Sequence, residues 1–421
     1  MKKKKVLALG LAVVMTAGML SACGSSSNGS SSSTASSGKQ EITFWFPTFA
    51  AADGEVTDQE FWDEQMTAFE EENNCEVKVE IVPWDNYEEK YLTGVNSKDG
   101  PDVGYMYMEM FYDYIDMGAL VDVDEYFTDE EKANYTYYEL GNIQGGQYAL
   151  PVVVGNPRIL VGNMDILNAA GITEVPTTID ELLAACEAIK TSNPDVAPLM
   201  QDWGNSHYGS LNEIYWPYFW GAGGQIVDEE GNLTIDTAEG LEATQFLYDL
   251  KTNGYVPESS TSCDDVLEPF KNGEAAMIMC ASSNALQVDT VNWDFSPIVQ
   301  GSKDGKTFVA ADSLVMFNSC ENKDLAASLM KYVTGKTVMD AFHSQVSDQP
   351  PITADDSYSG DERFADLFTE NGDNFVSLPV FKGASSMYDT LYKNLQSMML
   401  DELTPQEVLT NTTEYYNDNL K

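Results

Sequence analysis

Apolar positions along this chain recur with two periods that take turns. Glu41-Ile42-Thr43-Phe44-Trp45-Phe46 is rich in β-branched and aromatic residues and predicts a strand. After a loop from Pro47 to Thr57, Trp62, Met66 and Phe69 fall on one helical face, and Val77 to Val82 alternates as a second strand. This β-α-β opening begins a doubly wound α/β sheet, whose ligands sit beyond the C-terminal ends of strands. The rule places Trp45, Phe46 and Trp84 at the mouth of a cleft; for Trp84 the pattern leaves core and cleft equally open.

Further along, Gly145-Gly146 permits a tight turn, and the apolar run through Val154 reads as a strand leaving it. Pro151 has no N–H for a ladder, so that strand is expected to be interrupted or at an edge. A second run, Ile159 to Val161, follows at once, which makes the stretch a crossover between two α/β units. Thr178-Ile179-Asp180-Glu181 is a capping box opening a helix with Leu182, Ala185, Cys186 and Ile189 on one face. Met200 to Trp203 ends a strand. Leu211 to Gly224 predicts an aromatic helix with Glu213, Trp216, Pro217 and Trp220 on a shared face, a stripe that suits core more often than cleft. Asp228 to Asp236 reads as a hairpin, and Asp236 with Glu239 is expected to cap a helix carrying Ala243, Phe246, Leu247 and Leu250. Phe308 to Met316 is a strand, Asn322 opens a helix, and Thr404-Pro405-Gln406-Glu407 opens another.

Size and charge narrow the field. A chain of 421 residues exceeds one ordinary core and suits two lobes. Lys2 to Lys5 followed by Val6 to Leu20 is a signal peptide, its apolar run short of the roughly 20 residues that span a bilayer. With 22 basic against 68 acidic residues the net charge is −46, a surface that repels phosphate backbones and excludes nucleic acid as a partner. The six cysteines contain no C-x-x-C and no zinc spacing, so neither a metal nor a cofactor is expected. Any pairing among Cys75, Cys186, Cys263, Cys280 and Cys320 stays open, with buried free thiols the default for Cys186 and Cys280.

Several strings resemble the extracellular solute-binding proteins of sugar ABC transporters, the family that includes maltose-binding proteins. Gly145 to Pro151 matches its G-x-x-Y-x-L-P hinge strand, Gly162 to Leu167 its G-N-x-D-x-L segment, and Pro176 to Leu182 its P-x-T-x-x-E-L helix start. Pro101-Asp102-Val103 with Gly118 to Val123, Phe270 to Met277 (F-x-x-G-x-A-A-M) and Leu403 to Leu409 follow in the family's order, nearly end to end. Leu20-Ser21-Ala22-Cys23-Gly24 looks like a bacterial lipobox, with Cys23 lipidated and Ser25 to Gly38 a flexible tether. The resemblance implies a two-lobed, type II periplasmic-binding-protein-like α/β fold, each lobe a mixed sheet flanked by helices. Its expected parts are a signal peptide over 1–22, a lipidated linker over 23–39, one lobe from 40–151 with 310–355, and another from 152–309 with 356–421. It implies a monomer anchored on the outer face of the cell membrane that hands a carbohydrate to permease subunits. In the maltose-binding branch an acid in the place of Glu109 accepts from sugar hydroxyls, and a basic residue stands where this chain has Met110. The resemblance extends the expected ligand site to Tyr107, Arg158, Trp203, Glu213, Trp216, Trp220 and Asp312, with pairing to a surface acid the other reading of Arg158. Where relatives place a stacking tryptophan after the F-x-x-G-x-A-A-M string, this chain has Ser282-Ser283-Asn284.

Catalytic signals are absent: there is no G-x-S-x-G and no P-loop, and His207 and His343 lie far apart in the chain. No enzyme is expected. A secreted glycosidase would have to rest on paired carboxylates, which 68 acids supply by chance. A binding protein for a non-sugar solute and an adhesive surface module complete the alternatives.

Overall fold

The computed structural model describes residues 39–51, 54–228, 230–358 and 360–421, so the signal segment, Cys23 and the Ser-rich tether lie outside the described residues. The first sheet grows from strands β1 (Gln40–Pro47) and β2 (Cys75–Val82), paired in parallel from Gln40 opposite Cys75 to Pro47 opposite Val82. Between them runs the helix Asp58–Asn73. The Thr57 hydroxyl accepts from the Glu60 amide while the Glu60 carboxylate returns to the Thr57 amide. This helix buries Phe61, Trp62, Met66 and Phe69, the face its periodicity predicts.

Strand β3 (Val103–Met106) joins the other side of β1. A hairpin of β4 (Asn142–Ile143) and β5 (Gly146–Gln147) turns through Gln144 and Gly145, both at positive φ, the geometry a two-residue turn demands. Next comes β6 (Leu150–Gly155). The sheet order is β2-β1-β3-β12-β6, where β12 (Ala310–Met316) runs antiparallel to both its neighbours. Strand β6 is therefore an edge strand, where Pro151 is tolerated without an N–H. Pro151 pairs with Ser313 and Val153 with Asp312, so Val152 is the extra residue of a bulge.

The second sheet takes β7 (Arg158–Asn163), β8 (Ala197–Met200), β9 (Ala275–Ala281) and β10 (Trp293–Ser296) in the order β10-β7-β9-β8. All of β9 is buried, as a central strand covered on both faces requires. The Phe270 to Met277 string makes the helix end, a turn at Gly273 (φ +73) and the start of this strand. The helix Ile179–Ser192 opens on the expected box and buries Leu182, Ala185, Cys186 and Ile189. Near the approach to β12, β11 (Thr307–Phe308) pairs in parallel with β13 (Phe375–Val376). The five cysteines of the described residues are free, four of them buried.

Two local expectations are corrected. The segment from Leu211 is not one helix: Leu211–Ile214 and Trp216–Gly221 are separate, broken at Tyr215 (φ −128, ψ −55). Pro217 explains the break, since it has no N–H for the Glu213 carbonyl and its ring would clash with that carbonyl in a continuous helix. The helix Ala238–Thr252 is capped by Thr237, not Asp236; Asp236 instead accepts from Gln406 and Thr410 of the last helix.

The end of β6 gives a stability test. Gly155 has φ +119, and a Cβ there would stand 2.6 Å from the Pro350 Cγ. Gly155→Ala is expected to lower the unfolding free energy by about 1–3 kcal/mol through backbone strain and overpacking. Urea denaturation reads this directly; an unshifted midpoint would show that neither contact nor dihedral constrains the site.

Candidate ligand-binding cleft

Beyond the C-terminal end of β3 the chain enters a cavity of about 360 Å³ lined from both sheets. Tyr107 and Glu109 come from the turn after β3, Val153 from β6, and Ala310 and Asp312 from β12. Arg158 comes from β7, Asp202 follows β8, and Met279, Cys280 and Ala281 end β9. Short connections at strand ends leave these side chains facing one space, as the doubly wound pattern dictates.

Arg158 is fixed by the crossing between sheets. Asn156 sits at φ +51, and its side-chain oxygen accepts from the Ser282 hydroxyl (3.2 Å) and the Ser283 amide (3.1 Å). The serines that replace the resembling proteins' tryptophan therefore brace the crossing, while Asn284 lines the cavity. The guanidinium donates to Glu213 Oε1 (2.6 Å) and to the Asn156 carbonyl (2.9 Å), and lies 4.7 Å over the Phe308 ring. With side chains only 15% and 17% exposed, this ion pair is shielded from water.

The remaining carboxyls pay for burial in different ways. Asp312 accepts from the Tyr105 hydroxyl at 2.5 Å, yet burial pushes its pKa up to about 7, against the opposing pull of that bond and Arg158. Burial likewise raises Glu213 to about 7, opposed by Arg158. Glu109 is raised to about 8, first by burial and then by the nearby Asp312. It is 6% exposed and receives no hydrogen bond from another side chain among the described residues. Asp202, raised by burial, accepts from the Ser210 hydroxyl at 2.5 Å. Glu88 accepts from Tyr107 (2.8 Å) and from Tyr208, which joins the helix after β2 to the loop after β8. His207 Nδ1 accepts from the Gly209 amide, and burial lowers its pKa.

Of the eleven residues expected at the site, Trp84, Tyr107, Glu109, Arg158, Glu213 and Asp312 line this cavity. Trp84 is half-buried, its ring edge-on to Phe49 at 5.8 Å and its indole N–H on the Thr48 carbonyl. The other five are packed in the core. β1 runs on to Pro47, so Trp45 and Phe46 still lie within the strand; Trp45 packs on Tyr91 and Phe46 on Trp62, and Phe49 reaches the cleft instead. Trp203 stacks on Tyr392 and donates to Gln201. The break at Tyr215 turns Trp216 and Trp220 inward, stacked on each other, while leaving Glu213 in the cleft. Sequence reasoning missed Phe49, Asn156, Asn212 and Phe308. Asn156 carried a usable signal, since a residue beside the crossover glycine at the head of an Asn-Pro pair favours a turn.

The model of the family described as bacterial extracellular solute-binding protein matches residues 53–340. A protein of Brucella abortus (strain 2308), named only as a binding protein, is 25% identical over 376 residues, spanning 83% of this chain and 87% of its own. The diacetylchitobiose binding protein DasA of Streptomyces coelicolor is 29% identical over 240 residues, 55% of this chain and 52% of its own. Among solved structures, an ABC substrate-binding protein of Listeria monocytogenes in complex with cycloalternan superposes with a TM-score of 0.78. It is 20% identical and covers 90% of this chain and 98% of its own, a likeness of fold. The two-lobed architecture and the family match agree, and the chain belongs to the bacterial extracellular solute-binding proteins.

Proposed function

We propose that the protein captures an extracellular sugar or oligosaccharide in this cleft and delivers it to an ABC importer, without chemical turnover. The observation that carries the reading is the lining itself: aromatic rings (Phe49, Trp84, Tyr107) beside carboxylates and one arginine, drawn from two sheets. Rings cover the apolar C–H faces of a sugar, and carboxylates, amides and guanidinium answer its hydroxyls. The name of the diacetylchitobiose binding protein and the cycloalternan complex of the structural relative support a saccharide. On this reading the lobes are built on the two sheets. The full pairing of β6 along β12 supports a first crossing at Asn156-Pro157, a few residues past the 151/152 boundary expected from the sequence. The lipobox at Cys23 and the tether behind it support attachment to the outer face of the membrane. No helix among the described residues is long and apolar enough to cross a bilayer.

A thermal-shift screen of mono- and oligosaccharides tests the function. A ligand at 100 times its Kd should stabilise the protein by about 2.7 kcal/mol; a library without a single shift sinks the reading. Glu109→Ala should then weaken the sugar found by about ten- to a hundredfold, the loss of a hydrogen bond to a buried carboxyl, measured by calorimetric titration of the folded variant.

The buried carboxyls also set a pH response. Groups held above their unfolded pKa stabilise the fold fully below the unfolded value, and that contribution is lost as pH rises through the folded value. For Glu109 the window runs from 4.5 to about 8. The empty protein should therefore lose more stability between pH 5 and 8 than Glu109→Gln does; parallel melting curves would contradict the burial of this carboxyl. Separately, Cys23→Ser should move the protein from membrane to soluble fractions with ligand binding intact, and unchanged fractionation would remove the anchor.

A further inference from the structure

The polar surplus of the cleft is one-sided. Among the described residues Glu109, 6% exposed, accepts from no other side chain, and the side-chain oxygen of Asn212, 7% exposed, has no partner. Both line the same cavity as Asp312, which accepts from Tyr105 and from no other side chain among the described residues. The positive charge available is Arg158, and Glu213 holds it. Among the described residues no group of three or more acids, histidines or cysteines is arranged to hold a metal ion, so a metal does not answer this excess. A sugar hydroxyl brings one donor and also asks to accept, whereas an ammonium brings three donors, accepts nothing and carries the missing charge. Trp84 and Tyr107, their ring centres 6.2 Å apart, add π faces that attract a cation.

We propose that the saccharide bound here carries a primary amine, its ammonium seated against Glu109 and Asp312. This rests on the cleft being a saccharide site and goes on to name the class. Arg158 keeps unused N–H groups beyond its bonds to Glu213 and Asn156, and these donate to the hydroxyls of the same ligand.

Calorimetric titration with matched pairs tests the proposal: maltose, cellobiose and diacetylchitobiose, each beside the same disaccharide bearing a primary amine at carbon 2. At least one amine form is expected to bind about tenfold or more tighter than its neutral partner. Glu109→Gln, checked for an intact thermal transition, should erase that preference by weakening the amine form about ten- to a hundredfold. Asp312→Asn is the second variant, with the same expectation, should the first fail to fold. Neutral partners binding as tightly as their amine forms would overturn the proposal and leave the saccharide reading standing. A preference that survives both substitutions would also overturn it. Silence from all six sugars and from the wider screen would overturn both readings together.

Discussion

The insertion of β12 between β3 and β6 is the constraint on which the remaining architecture depends. A strand with neighbours on both sides must match hydrogen-bond partners along two edges at once, and its neighbours here were made well over a hundred residues earlier. Satisfying both edges obliges the whole of the second sheet to be an excursion that leaves after β6 and returns before Ala310. The exit and the return must then lie side by side, and the space between the sheets opens beside them. The bulge at Val152 falls opposite the Asp312–Ser313 step. There Asp312 accepts from Tyr105 of β3 and remains a lining residue of the cleft.

Electrostatics in that space follow from burial more than from the overall charge. A net charge of −46 is spread over solvent, where it is screened within roughly a Debye length of about 8–10 Å. The few carboxyls facing the cavity are not screened in this way. The pKa values of Glu109, Glu213 and Asp312 rise because the charged form has lost its water, and a single arginine, already committed to Glu213, restores only part of the loss. Members of a solute-binding family close around a ligand by hinge motion. In such a site, groups short of partners in the empty protein are the ones a ligand can repay.

Local periodicity and capping chemistry were readable directly. Thr178 and Thr404 open helices where their boxes say, because a cap involves residues three apart and needs nothing from the distant chain. The strand–helix–strand opening, the interrupted-or-edge reading at Pro151 and the strand end near Met200 followed from the same short-range rules. Glu109 and Asp312 were expected at the cleft through the family resemblance, and they stand there at adjoining ends of β3 and β12. The sequence by itself thus determined the elements, the two-lobed class and, through that resemblance, the polar half of the site. Tertiary structure alone decided the destination of the aromatics. Trp45, Phe46, Trp203, Trp216 and Trp220 have the same affinity for core as for a sugar face, and nothing in their spacing separates the two. It also decided that Asn156 would brace Arg158, and that a kink at Tyr215 would part Glu213 from the tryptophans beside it. Those outcomes depend on contacts between residues dozens to hundreds of positions apart, which no local pattern encodes.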